Sequence, residues 1–184
     1  ATSSPGAITG TLSQAGSGSI TVSGLTSGIA YTFTVTATND IGTSLASAAS
    51  NSITPQQAQV GDFYQGGVVF YIFQSGNAGY IAGETHGLIA AVADQSSGIR
   101  WYNGSYVTTG ATETAVGKGS DNTDDIITTQ GATATSYAAG LARAYNGGGY
   151  TDWFLPSKDE LNQMYTNKAT INTTASANGG SNFS

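Results

Sequence analysis

Cysteine is absent from this chain, and with it go disulfides, thiolate metal sites and thiol nucleophiles. Charge is nearly as scarce. Charged residues make up 9% of the 184, against about 25% in an average soluble domain, so contact with water rests on neutral polar side chains. Five basic residues against eleven acidic ones give a formal net charge of −6, and Lys and Arg nowhere cluster. Nucleic-acid binding needs basic groups to neutralise phosphates, so this composition argues against it. Anionic membrane surfaces are disfavoured for the same reason. No apolar stretch reaches about 18 residues, and no basic segment followed by an apolar run opens the chain, so neither a membrane span nor a secretory signal is visible. An export signal would have to lie outside this sequence.

What the chain does have is glycine, 26 residues of it, with 10 Tyr, 6 Phe and 2 Trp. Polar, Gly-rich chains are disordered when they lack the aromatic and β-branched side chains that offset ordering entropy. Here the aromatics fall in alternating runs, Tyr31, Phe33, Val35 and Val69, Tyr71, Phe73, the pattern of half-buried strands. The sequence predicts a folded, mainly β chain of two modules, residues 1–55 and 60–184, joined by the polar linker 56–59.

In the first module Ile20, Val22 and Leu25 and then Tyr31, Phe33, Val35 and Ala37 predict strand, turn and strand, with Gly24 and Gly28 as punctuation. Asn39-Asp40-Ile41-Gly42 reads as a turn, and Ser44 to Ile53 as a last pair of short strands before Pro55. In the second module Gly66 to Phe73 is a continuous apolar run, as expected of a central strand, and Gly87 to Asp94 is another. Gly76-Asn77-Ala78-Gly79 between them reads as a hairpin turn. Helices follow. Ser120 and Asp121 are candidate caps for one that begins near Asn122 and ends at Gly131. A second, over 136–146, carries Tyr137, Leu141 and Tyr145 on one face. The third opens on a capping box, Ser157-Lys158-Asp159-Glu160, with Leu161, Met164 and Tyr165 as its apolar stripe.

Two family resemblances rest on these residues. Leu25, Tyr31, Phe33, Val35, Ala37, Asn39, Gly42 and Ser50-Asn51 resemble the second half of a fibronectin type III β-sandwich. That likeness implies a tyrosine corner at Tyr31, its hydroxyl bonded to upstream backbone. Nineteen residues precede Ile20, too few for the first strands of such a sandwich, so the resemblance implies a partial module. Gly66-Gly67-Val68-Val69-Phe70, His86 to Ala91, Asp94 to Trp101 and above all Asp152-Trp153-Phe154-Leu155-Pro156-Ser157-Lys158-Asp159-Glu160-Leu161 resemble the C-terminal domain of collagen-like bacterial adhesins, a branch of the C-type-lectin-like fold. The resemblance implies an α+β domain with two or three short helices that binds and does not catalyse. Members of that family continue past the region Asn178 to Phe183, so part of the ligand-facing surface is expected outside this sequence.

The best surface candidate is Trp101-Tyr102-Asn103-Gly104-Ser105-Tyr106, where aromatics, an amide and a hydroxyl share one Gly-containing stretch. Either Trp101, Tyr102, Asn103 and Tyr106 form a ligand platform, or Trp101 packs in the core and only the tyrosines reach the surface. Trp153 is expected in the core. Asp121, Asp124 and Asp125 are weak candidates for calcium, because they lack the alternating Asp-x-Asp-x-Asp-Gly loop and helix capping explains them as well. The Glu-Pro-Asn and Gln-Pro-Asp triplets of calcium-dependent sugar lectins are missing too. His86, the single histidine, reads as a turn or strand-edge residue, with no Gly-x-Ser-x-Gly elbow to pair with it. Asp159 and Glu160 are adjacent on a helix start and point apart, unlike a glycosidase pair.

The expectation is therefore a non-enzymatic binding or adhesion module at the bacterial cell surface or outside the cell, with a glycan or protein ligand and no required cofactor. The alternatives are a stalk or filament unit and, behind it, an enzyme on the related formylglycine-generating fold, whose chemistry depends on the cysteines this chain lacks.

Overall fold

The computed structural model describes residues 1–131 and 134–182; Phe183 lies outside them. The chain divides into two compact units, Ala1–Gln57 and Ala58–Ser184.

The first unit is built on short antiparallel pairings. β1 (Thr2–Ser4) pairs with β2 (Thr32–Thr34), Ser3 lying opposite Phe33. β3 (Thr38–Asn39) and β4 (Gly42–Thr43) form a tight hairpin over the expected turn. The Asn39 carboxamide oxygen accepts from the backbone N–H of both Ile41 and Gly42, which closes that turn with a side chain.

Beyond the hairpin the chain returns along residues 31–37 without a regular ladder. Ser44, Ser47 and Ser50 each donate a backbone N–H to Ala37, Val35 and Phe33 in turn. Their hydroxyls accept the N–H of the same three residues at 3.0–3.1 Å. Three residues on one side thus match two on the other, and each serine hydroxyl substitutes for the backbone acceptor that this mismatch misplaces. A reciprocal backbone pair between Tyr31 and Ile53 ends the run. The two short strands expected over 44–53 are therefore one serine-stitched segment.

No strand forms around Ile20 and Val22 either. That stretch instead lies so close to Gly10 that a Cβ there would stand 2.1 Å from the Thr21 carbonyl oxygen. Tyr31 is buried, and its hydroxyl accepts from the Thr26 N–H at 3.1 Å, an upstream backbone contact of the kind expected of it.

The second unit is mixed α+β. β5 (Phe63–Tyr64), β6 (Gly67–Ile72) and β7 (Gly87–Ala91) form an antiparallel sheet in the order β5-β6-β7, which puts the apolar run of β6 in the centre as its composition requires. The pairing slips by one residue between Val69 and Tyr71. Because of this bulge the consecutive side chains Phe70 and Tyr71 both pack on one side. That side holds the core: Val68, Phe70, Leu88 and Ala90 with Val116, Ile171 and Ala175. The turn expected at 76–79 is a longer excursion, in which the Asn77 carboxamide oxygen accepts from Gln74 N–H and the Tyr71 hydroxyl.

Four α-helices follow among the described residues: α1 (Gly119–Gln130), α2 (Ala138–Ala144), α3 (Lys158–Thr166) and α4 (Lys168–Ala177). Helical residues outnumber those in strands, so the described chain is α+β and not mainly β, with one more helix than the two or three expected. α1 starts earlier than its sequence suggests. Its N-cap is Lys118, and neither Ser120 nor Asp121 caps it. The orphan N–H groups are met from another helix, because the Glu160 carboxylate, fully buried, accepts from Gly117 N–H at 2.7 Å and Gly119 N–H at 3.4 Å. Its second oxygen accepts from Ser157 N–H at 2.7 Å, completing the capping box at the start of α3. One carboxylate thus serves two helix N-termini, where the dipoles favour negative charge.

α2 is shorter than the predicted 136–146. Tyr137 is its extended N-cap, fully buried, with its hydroxyl donating to the Gly131 carbonyl. The Leu161, Met164 and Tyr165 stripe of α3 is only partly realised, since Met164 packs on the core while Leu161 and Tyr165 are exposed. Directly after the Asn167 junction, α4 lays Ile171 and Ala175, one turn apart and both buried, against the sheet.

Candidate functional site

The stretch from 92 to 118 connects β7 to α1 and carries the aromatic cluster. Trp101, Tyr102 and Tyr106 come together: Tyr102 and Tyr106 stack with centroids 4.5 Å apart, and Trp101 lies 5.1 and 5.7 Å from them, tilted to both. Trp101 is 60% exposed and Tyr106 76%, while Tyr102 is half-buried beneath them. The question left open by the sequence is answered in favour of a surface cluster, because Trp101 is not a core residue. The Arg100 guanidinium stands 6.0 Å from the Tyr102 ring centre, the outer limit of a cation–π contact.

An aromatic surface cluster holds one arrangement only if its loop is fixed, and here a buried glutamine fixes it. The Gln130 side-chain oxygen accepts from Asn103 N–H at 3.0 Å, and its amide donates to the Ser105 carbonyl at 3.4 Å. The Asn103 side-chain amide donates to the Gln130 carbonyl at the end of α1, and its oxygen accepts from Ser105 N–H at 3.2 Å. Asn103 is therefore an internal anchor, both of its side-chain polar atoms being engaged within the protein. A further bond, Ala138 N–H to the Arg100 carbonyl at 3.0 Å, ties the near end of the loop to α2.

The acidic residues weighed for calcium are not brought together. Asp121 pairs with Lys118 at 2.8 Å and Asp124 with Arg143 at 2.6 Å, and Asp125 joins neither pair. The Asp121 hydrogen bond and charge hold the Lys118 ammonium above its ordinary pKa. Among the described residues no group of three His, Cys, Asp or Glu side chains could hold a metal ion. His86 precedes β7, its Nε2 lies 2.6 Å from a Glu84 oxygen, and its carbonyl accepts from Phe73 N–H, which is a strand-edge position. Both side chains of that pair are largely exposed, and no hydroxyl is bonded to the imidazole among the described hydrogen bonds.

The sequence reading missed a cleft in the second unit, about 670 Å³ in volume. Its floor is the sheet face opposite the core, with Val69, Ile72 and Ile89. Its wall is α2, whose Ala138, Leu141, Ala142 and Tyr145 follow the i, i+3, i+4, i+7 spacing of one helix face. That stripe, and not Tyr137, Leu141 and Tyr145, is the one the helix presents. Trp153, expected in the core, is half-buried at the cleft edge. Its indole N–H donates to the Gly147 carbonyl at 3.2 Å, and its ring meets Tyr145 edge-on at 5.0 Å. A Cβ on Gly67 would come within 3.0 Å of the Trp153 ring and 2.6 Å of the Ala90 carbonyl, so glycine there is what lets the indole settle on the sheet.

No helix among the described residues is long and apolar enough to cross a membrane. No protein-family model, curated protein or solved structure matches the chain.

Proposed function

We propose that this chain is a non-enzymatic binding or adhesion module of a bacterial surface or secreted protein, and that it takes a glycan or protein ligand on the Trp101, Tyr102 and Tyr106 cluster. The observation that carries the reading is the exposure of Trp101 and Tyr106, packed with Tyr102 on an anchored loop. Large aromatic side chains left in water contribute most when a partner covers them, which is why they dominate the energetics of interfaces. A loop already pinned by Gln130 and Asn103 loses little freedom on binding. The likeness of Trp153 to Leu161 to a collagen-like adhesin domain supports the same class of activity, and the fibronectin-like first unit fits a spacer beside it.

The test is to apply the chain to an array of glycans and extracellular-matrix proteins. A saturable hit against at least one class is expected, and silence across both would count against the proposal. One observation favours the stalk alternative: Ile41 and Leu45 in the first unit are 96% and 94% exposed, as residues covered by a neighbouring unit would be. Sedimentation of the chain as a concentration-dependent oligomer that Leu45→Ser abolishes would favour that reading.

A further inference from the structure

The cleft between the sheet and α2 is separate from the aromatic loop, and its chemistry is different. We propose that it binds a small organic cation with an apolar body, of the arylalkylammonium class. The volume, about 670 Å³, lies within the range of small-molecule sites. Leu141 and Ile89 offer no hydrogen bonds, and the Tyr145 and Trp153 rings are already fixed edge to face, so the interior suits an aromatic or aliphatic body.

The polar groups at the cleft decide the charge. Asp94 and Asp152 both line it, and neither carboxylate has a hydrogen bond or ion pair within the described protein. No Lys or Arg lines the cleft. Its histidine, His86, is held by Glu84, and the nearby Arg143, which donates to the Asp152 carbonyl, is committed to Asp124 at 2.6 Å. An anion would meet uncompensated carboxylates. A cation with an apolar body satisfies both halves of the site, and the net charge of −6 favours its approach.

The test titrates three probes of one shape, 2-phenylethylammonium, 2-phenylethanol and phenylacetate, into the isotopically labelled chain and follows the two tryptophan indole N–H signals. The Trp153 signal is expected to shift saturably, with the ammonium binding about fivefold to tenfold more tightly than the alcohol and phenylacetate weakest, the difference of one or two exposed charge contacts. The exposed double variant D94N/D152N should bring the ammonium down to the level of the alcohol. The proposal is overturned if no probe moves Trp153, if the alcohol binds as well as the ammonium, or if the double variant keeps the preference. A response at Trp101 in place of Trp153 would also overturn it. The array result for the aromatic loop stands or falls separately.

Discussion

Replacing Glu160 with glutamine keeps the shape of the side chain and removes half of its accepting capacity. In the native protein one oxygen takes Gly117 N–H and, more distantly, Gly119 N–H, while the other takes Ser157 N–H. In the amide one of these oxygens becomes an NH2 group that faces a backbone donor. A hydrogen bond to a charged group contributes about 1.5–3 kcal/mol, and a buried donor left without an acceptor costs about 1–3 kcal/mol. With one charged bond lost and the other made neutral, E160Q should destabilise the second unit by about 3 kcal/mol.

Both tryptophans, Trp101 and Trp153, lie in that unit, so urea denaturation followed by intrinsic fluorescence reports it directly. D159N, its neighbour in the same first turn, is the control and should cost about 0.5 kcal/mol through the helix dipole alone. A loss below about 1 kcal/mol for E160Q, or equal losses for the two variants, would refute the idea that one carboxylate caps two helices. The consequence reaches the candidate site, because α1 carries Gln130 at its other end and Gln130 holds the aromatic loop.

Three further outcomes follow from the same structure. Ile171→Ala removes a fully buried side chain from the α4 contact with the sheet and should cost about 3 kcal/mol in the same urea assay. Burial pushes the Tyr137 phenol above its ordinary pKa of 10.0. A folded pKa raised in this way leaves stability intact below pH 10 and removes it as pH climbs from there toward the folded value. Y137F should therefore be about 1 kcal/mol less stable than the native protein at pH 7, from the lost bond to Gly131, and that gap should shrink above pH 10; a gap independent of pH would contradict the assignment. Ser47→Ala should speed hydrogen exchange of the Val35 amide about fivefold, the equivalent of about 1 kcal/mol, because the serine hydroxyl is that amide's acceptor.

How much of this was legible follows the range of the interactions. The capping box at Ser157 is local, four residues long, and the structure has it as read. The second role of Glu160 spans 43 residues, and no local pattern reports it, so Ser120 and Asp121 looked like the caps of α1. The segment Lys168 to Ala177 holds three threonines and an asparagine, residues of low helix propensity that favour strands or turns. Its helix is decided by Ile171 and Ala175 meeting the sheet, and their spacing of four was the available signal. Ile20 and Val22 alternate as strand residues do but find no partner in register, and serine hydroxyls in place of a ladder at 44–50 follow from a three-to-two mismatch that alternation cannot reveal. At the candidate site, composition picked out Trp101, Tyr102 and Tyr106. It placed Asn103 among them because the glutamine that engages it lies 27 residues away.

The most direct measurement is the affinity of the double variant W101A/Y106A for whichever ligand the array identifies, taken together with its urea midpoint. Both side chains are exposed, so the midpoint should stay within about 0.5 kcal/mol of the native protein. Binding should weaken at least tenfold, as expected when two interface aromatics are truncated. Undiminished binding by a variant that is still folded would contradict the account, because the ligand would then be held somewhere other than on the exposed rings.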